Sequence, residues 1–147
     1  MVSGVFDWEG QINDVKDQVP DVMISLTNYY DSSNNVLRID VYLEWFTDRT
    51  ENYSLQVMVT EDNIIDWQYD LGVDRPNYNH RFVLRKVVNG TWGKDLDPAV
   101  SGESQQIQYI LPLDPSWKKA DLSAVAYIYN SNTNSYEVIQ ANSAGIE

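Results

Sequence analysis

The chain contains no cysteine. Disulfides, zinc–thiolate sites and thiol nucleophiles are therefore excluded, and redox chemistry cannot be carried by its own side chains. Only one histidine, His80, occurs among the 147 residues. A nucleophilic triad has a single imidazole to draw on, and no serine stands in the Gly-x-Ser-x-Gly setting of a nucleophile elbow. Basic residues are scarce, with ten Lys and Arg against twenty-two Asp and Glu for a formal charge of −12. Nucleic acid and anionic membrane surfaces require clustered cations, so both are disfavoured as partners. No apolar run approaches the eighteen or so residues of a membrane-spanning helix. The opening residues, Met-Val-Ser-Gly-Val-Phe-Asp-Trp-Glu, also lack the basic and apolar blocks of a secretory leader.

What is present is an acidic, aromatic-rich chain with enough apolar residues for one sizeable core: 43% hydrophobic, with five Trp and ten Tyr. The charge is uneven. Residues 1–74 carry fifteen of the carboxylates and three of the basic residues, whereas residues 75–147 carry seven of each. Near the start, Val5, Trp8, Ile12, Val15 and Val19 recur every three or four residues, the spacing of one helical stripe, and Pro20 closes the pattern. Residues 1–20 are therefore expected to form an amphipathic helix or interdomain junction. Its stripe would lie on the sheet that follows or on a neighbouring domain.

From residue 21 to 147 the period is two, the signature of strands with unlike faces. Val22, Ile24 and Leu26 share one face. Leu37, Ile39, Val41, Leu43 and Trp45 form the longest alternating set, opposed by Arg38, Asp40, Tyr42, Glu44 and Phe46. Leu55, Val57 and Val59 follow, then a strand from Tyr78 to Val88, then Ile107, Tyr109 and Leu111, then Val125, Tyr127 and Tyr129, and last Val138 and Ile139. About seven antiparallel strands without a second helical period predict an all-β immunoglobulin/fibronectin-like sandwich preceded by one short helix. Residues 64–77 are expected to be a crossover or functional loop, and Asn89-Gly90 a tight hairpin turn.

The stretch Tyr78 to Gly93 gathers the histidine, three basic residues and the sharpest turn signal. Tyr78, His80, Arg85, Asn89 and Trp92 are accordingly the candidate ligand contacts, with protein or glycan as the partner; exposed aromatic rings serve either. A carbohydrate-binding module is the sharper form of this reading. The opposing class is a hydrolase subunit using paired carboxylates or calcium, for which Asp62, Asp66, Asp70 and Asp74, or Asp95, Asp97 and Glu103, would supply oxygens. Neither set has EF-hand spacing. No catalytic residue, metal ligand or cofactor is assigned, and the expectation is a protein that is not an enzyme.

Three segments in combination carry a resemblance: Leu55-Gln-Val-Met-Val-Thr-Glu-Asp-Asn63; Tyr78-Asn-His-Arg-Phe-Val-Leu-Arg85 with Val88-Asn-Gly-Thr-Trp-Gly93; and Trp117 followed by Val125-Ala-Tyr-Ile-Tyr-Asn130. Over most of its length the chain resembles the C-terminal domain of the twenty-eight-kilodalton outer-membrane protein (Omp) family of Bacteroidetes. In that family a lipoprotein-type leader and a thioredoxin-like domain typically precede a β-sandwich. The resemblance implies a cell-envelope address, a non-catalytic role beside an upstream thioredoxin-like domain, and a junction role for the helix from Val5 to Val19.

Overall fold

The computed structural model describes residues 8–132 and 136–146. A short helix α1 (Trp8–Val15) leads into ten strands: β1 (Val22–Asp31), β2 (Val36–Trp45), β3 (Tyr53–Glu61), β4 (Ile64–Asp70), β5 (Val73–His80), β6 (Val83–Val87), β7 (Lys94–Leu96), β8 (Ser104–Pro112), β9 (Leu122–Asn130) and β10 (Val138–Gly145). A 3₁₀ turn, Lys119–Asp121, precedes β9.

Strands β1, β2 and β8 form one sheet in that order; the other runs β10, β9, β3, and then β6 and β7 side by side on the far edge of β3. Every ladder is antiparallel. Because β6 and β7 occupy one edge position between them, the sandwich has three strand positions in one layer and four in the other. This all-β sandwich matches the expected class.

The core lies where the two alternating faces meet. Leu37, Ile39, Val41 and Leu43 of β2 are fully buried, as are Leu55, Val57 and Val59 of β3. Each such side chain contributes roughly 1.5–3 kcal/mol on leaving water. The open side of the sandwich, where β1 faces β10, is closed by side-chain amides rather than a ladder. Gln140 Nε2 donates to Val22 O (3.3 Å), Asn142 Nδ2 to Ile24 O (2.8 Å), and Asn28 Nδ2 to Ala144 O (2.9 Å) and Gly145 O (3.0 Å). These bonds occupy edge carbonyls that would otherwise template another strand.

Four expectations are revised. The helix is shorter than its stripe: Val5 lies outside the described residues, while Ile12 and Val19 are 58% and 83% exposed, so the sheet does not cover them. Residues 64–77 are not a loop but most of the β4–β5 ribbon, a two-stranded sheet standing apart from the sandwich. Its turn places Leu71 and Gly72 at φ of +48° and +85°, the left-handed pair that matches strand twist in a tight hairpin. The strand expected from Tyr78 to Val88 is two strands. It breaks at Phe82, whose φ is +54° and whose N–H is taken by Asp62 Oδ1 at 2.7 Å. Finally, Asn89-Gly90 does not reverse the chain, since the strands before and after it, β6 and β7, both run antiparallel to β3 along the same edge.

Candidate functional site

The departure at Asn89 is the starting point for the site. The β6 side of the β3 edge ends with Val88 N donating to Val57 O (2.8 Å) and the β7 ladder resumes at Leu55 opposite Lys94; between them the Asn89 side chain takes up Val57 N and Leu55 O. Its Oδ1 accepts from Val57 N (3.0 Å) and Gln56 Nε2 (2.9 Å), and its Nδ2 donates to Leu55 O (2.8 Å) and the Tyr109 hydroxyl (3.2 Å). A carboxamide carries the same donor and acceptor as a peptide unit, so it can continue a ladder that the main chain has left. The main chain meanwhile swings outward through Gly90, Thr91 and Trp92, and returns at Gly93, whose N–H bonds Gly90 O at 3.1 Å. Gly93 lies so close to β3 that a Cβ there would sit 2.3 Å from Leu55 O. Only glycine fits this return.

Strand β9 supplies the floor. Its core face is Leu122, Ala124, Ala126 and Ile128. Val125, Tyr127 and Tyr129 alternate as expected, but on the outward face. Registration across the sheet sets Tyr127 opposite Gln56 and Tyr129 opposite both Ser54 and Val138. Directly paired residues share a face, so Gln56, Tyr127, Tyr129 and Val138 form one outward surface. The Thr91-Trp92 excursion walls it on the β3 side and Tyr136, just before β10, on the other.

The result is a cleft of about 270 Å³. Its rings are close-set: Tyr127 to Tyr129 6.0 Å between centroids, Tyr129 to Tyr136 6.3 Å, and Trp92 to Tyr136 6.3 Å with planes 30° apart. The Tyr129 hydroxyl donates to Trp92 O at 2.6 Å and ties wall to floor. Trp92 is nevertheless 70% exposed and Tyr136 56%. Among the described residues, no Asp, Glu, His, Lys or Arg lines the cleft. Gln56, 3% exposed, spends its Nε2 on Asn89 Oδ1 and on Gly90 O (3.1 Å), and no described residue donates to its Oε1.

The five candidate contacts do not converge. Tyr78 and His80 pack edge to face at 4.9 Å on the β4–β5 ribbon. Arg85 pairs through Nε with Glu61 Oε2 at 2.7 Å, and Glu61, buried, also accepts from Lys118 N at 3.1 Å. Asn89 supports the cleft from behind Gln56, and Trp92 alone lines it. Gln56, Thr91, Tyr127, Tyr129, Tyr136 and Val138 were not singled out together by sequence, because their meeting depends on the register of three strands.

Five of the seven acids singled out for calcium or hydrolysis serve local structure. Asp62 holds Phe82 N, Asp66 Oδ1 accepts from Trp67 N (2.7 Å), Asp70 pairs with Arg75 (3.0 Å), Asp95 accepts from the Ser54 hydroxyl (2.8 Å) and Glu103 from Val100 N (3.1 Å). Among the described residues no three His, Asp or Glu side chains gather closely enough to hold a metal ion. Two exposed turn carboxylates titrate below the usual range. Asp31 is lowered by hydrogen bonds from the Ser33 and Asn34 side chains, and Asp114 by those from the Ser116 N–H and hydroxyl. Burial raises the Tyr109 phenol, an effect partly offset by Asn89.

Among solved structures, the chain is similar to a domain of the outer membrane lipoprotein Omp28 from Porphyromonas gingivalis, with a TM-score of 0.61 at 20% identity over 86% of this chain and 95% of that one. It is also similar to HBP35 of Porphyromonas gingivalis, with a TM-score of 0.74 at 16% identity over 94% of this chain. It spans only 45% of HBP35. At such identities the likeness is one of fold. No curated protein matches the chain. Among the described residues no helix is long and apolar enough to cross a membrane. The profile of the family described as outer membrane protein Omp28 matches residues 2–147, and the chain belongs to that family.

Proposed function

We propose that this chain is a non-catalytic interaction module of the cell envelope, which binds its partner at the aromatic cleft lined by Trp92, Tyr127, Tyr129 and Tyr136. The observation that carries the reading is the exposure of Trp92 at the mouth of a concave, uncharged surface. Large apolar rings are normally buried, and a cluster held open at a pocket is the arrangement that recognises ligands. Among the described lining residues there is no carboxylate or imidazole, the usual pairings for hydrolysis, which favours binding. Family membership favours the outer membrane as the address, on its periplasmic or external side.

The test is a residue-resolved NMR titration of the ¹⁵N-labelled chain with glycans, peptides and detergent-solubilised lipids. Shifts concentrated on Gln56, Thr91, Trp92, Tyr127 and Tyr136 are expected. Shifts concentrated on the β4–β5 ribbon instead, or none with any class, would refute the assignment.

A second reading concerns an upstream domain. The exposed Ile12 and Val19 favour a junction role for α1, in keeping with a chain that spans under half of HBP35. It predicts that a longer protein carrying the preceding thioredoxin-like domain slows hydrogen exchange at residues 9–19. Unchanged exchange there would count against it.

A further inference from the structure

Resting on the reading of the cleft as the binding surface, we infer that its ligand is a neutral saccharide, with one pyranose ring laid on Trp92 and Tyr136 and a hydroxyl donating to Gln56 Oε1. Four observations on the cleft point the same way.

The rings come first. An aromatic face is the negative side of a quadrupole, and the polarised C–H groups on one face of a pyranose present the complementary sign. Trp92 and Tyr136 are the two most exposed rings of the cleft, and their centroids are 6.3 Å apart. That spacing leaves no room for a ring between them, so a ligand lies over the pair.

Polarity narrows the class. Gln56 is nine-tenths buried and more, both its amide protons are engaged by Asn89 and Gly90, and its Oε1 receives nothing from the described residues. Oε1 is therefore left open to the cleft, where a ligand that donates can replace water as its partner and one that only accepts cannot. Sugar hydroxyls donate. A proline-rich strand, the other common guest of aromatic grooves, offers carbonyl acceptors and few N–H groups, the wrong sign for this position.

Charge and size complete the argument. With no ionised group among the described lining residues and −12 on the chain, uronates, sialylated and phosphorylated sugars gain no partner there and meet a repulsive field. At about 270 Å³ the cleft falls just short of the range typical of drug-sized ligands, room for one ring rather than an extended cofactor.

The experiment titrates the chain with methyl pyranosides of gluco, galacto and manno configuration, with N-acetylglucosamine, with glucuronate and with a proline-rich peptide, by calorimetry and by the ¹⁵N resonances of the Trp92 indole and Gln56 amide. At least one neutral sugar is expected to shift both resonances while glucuronate does not. Its affinity should fall tenfold or more in Trp92→Ala and several-fold in Tyr136→Ala; both side chains are exposed enough for the fold to survive. If the peptide shifts the cleft and no sugar does, the saccharide inference is overturned and the cleft remains the binding surface. If a sugar binds with neither variant affecting it, or glucuronate binds as well as the neutral sugars, the inference is equally overturned. If no probe moves the cleft, both this inference and the proposed function fall.

Discussion

Replacing Gly93 by alanine tests whether the Trp92 wall depends on the close return of the chain to β3. The backbone there has φ of +72°, and the added Cβ would lie 2.3 Å from Leu55 O, 3.0 Å from Leu55 C and 3.3 Å from Gln56 N. Leu55 cannot yield, because it sits in a central strand with its side chain fully buried. Gly90 is the internal control: its φ is +89° but a Cβ there meets nothing within 4 Å. Both substitutions carry the left-handed cost of an L-residue, roughly 1–2 kcal/mol. Gly93→Ala adds the cost of forcing atoms into a packed contact, about 1–3 kcal/mol. Urea denaturation, with the slope unchanged and the midpoint shifted, measures each variant. Gly93→Ala should be the less stable by at least about 1 kcal/mol, and it should also disturb the Tyr129 to Trp92 hydrogen bond and weaken cleft binding. If the two variants differ by less than about 0.5 kcal/mol, within the scatter of ordinary surface substitutions, the close-approach argument is wrong.

Asn89→Ala removes the amide that stands in for a peptide unit, leaving Val57 N and Leu55 O without partners; at about 1–3 kcal/mol per buried group, a loss near 3 kcal/mol is expected in the same assay. A loss under about 1 kcal/mol would mean that water replaces the side chain. Arg85→Ala strands the Glu61 carboxylate, which is 2% exposed, but Arg85 itself is partly open to solvent, so the cost should be roughly 1–3 kcal/mol rather than that of a fully buried pair. Adding Glu61→Gln should recover part of it, and no recovery would show that packing, not charge, is lost. For Asp31 and Asp114 the folded-state pKa lies below the unfolded one, so their contribution is present above the ordinary carboxylate range and fades as pH falls through the folded value. Stability should therefore drop on acidification below about pH 4, and a chain with Asp31→Asn and Asp114→Asn should show a shallower drop. Superimposable pH profiles would refute this.

Legibility followed the contrast between faces. On β2, apolar Leu37 to Trp45 alternate with Arg38, Asp40 and Glu44, so the buried face could be assigned from the sequence alone. On β9 both faces are apolar, and the core side is the one with small residues, Ala124 and Ala126, which a hydrophobicity pattern ranks below Tyr127 and Tyr129. The inward side is set by the register of β9 with β3, which puts Ala124 and Ala126 beside buried Val59 and Val57. Asn89-Gly90 carries the local chemistry of a hairpin, yet β3 offers both flanking segments the same edge, so tertiary pairing overrides the turn. The Asp62, Asp66, Asp70 and Asp74 series looked like loop chemistry because it masks the Ile65, Trp67 and Tyr69 alternation of β4. Of the site, Trp92 was legible as an aromatic between glycines. Gln56 and Tyr136 were not, since nothing in the chain signals which residues three strands will bring into register.

The cleft and the protection of the sheet edge share one cause. An edge strand exposes unpaired N–H and C=O groups and invites another chain, and one remedy is to keep each edge segment short. Here the edge beside β3 is split into β6 and β7, five and three residues long, by the excursion at Asn89–Gly93. The split would by itself uncover the β3 backbone at Leu55 and Val57, but the Asn89 carboxamide restores those bonds without extending the strand. The residues released from pairing then rise above the outward face and become the Trp92 wall. A continuous edge strand would have left Tyr127 and Tyr129 on an open sheet face with no wall on the β3 side. Substitutions that strengthen the edge ladder should therefore weaken binding, and those that loosen Asn89 should cost stability and binding together.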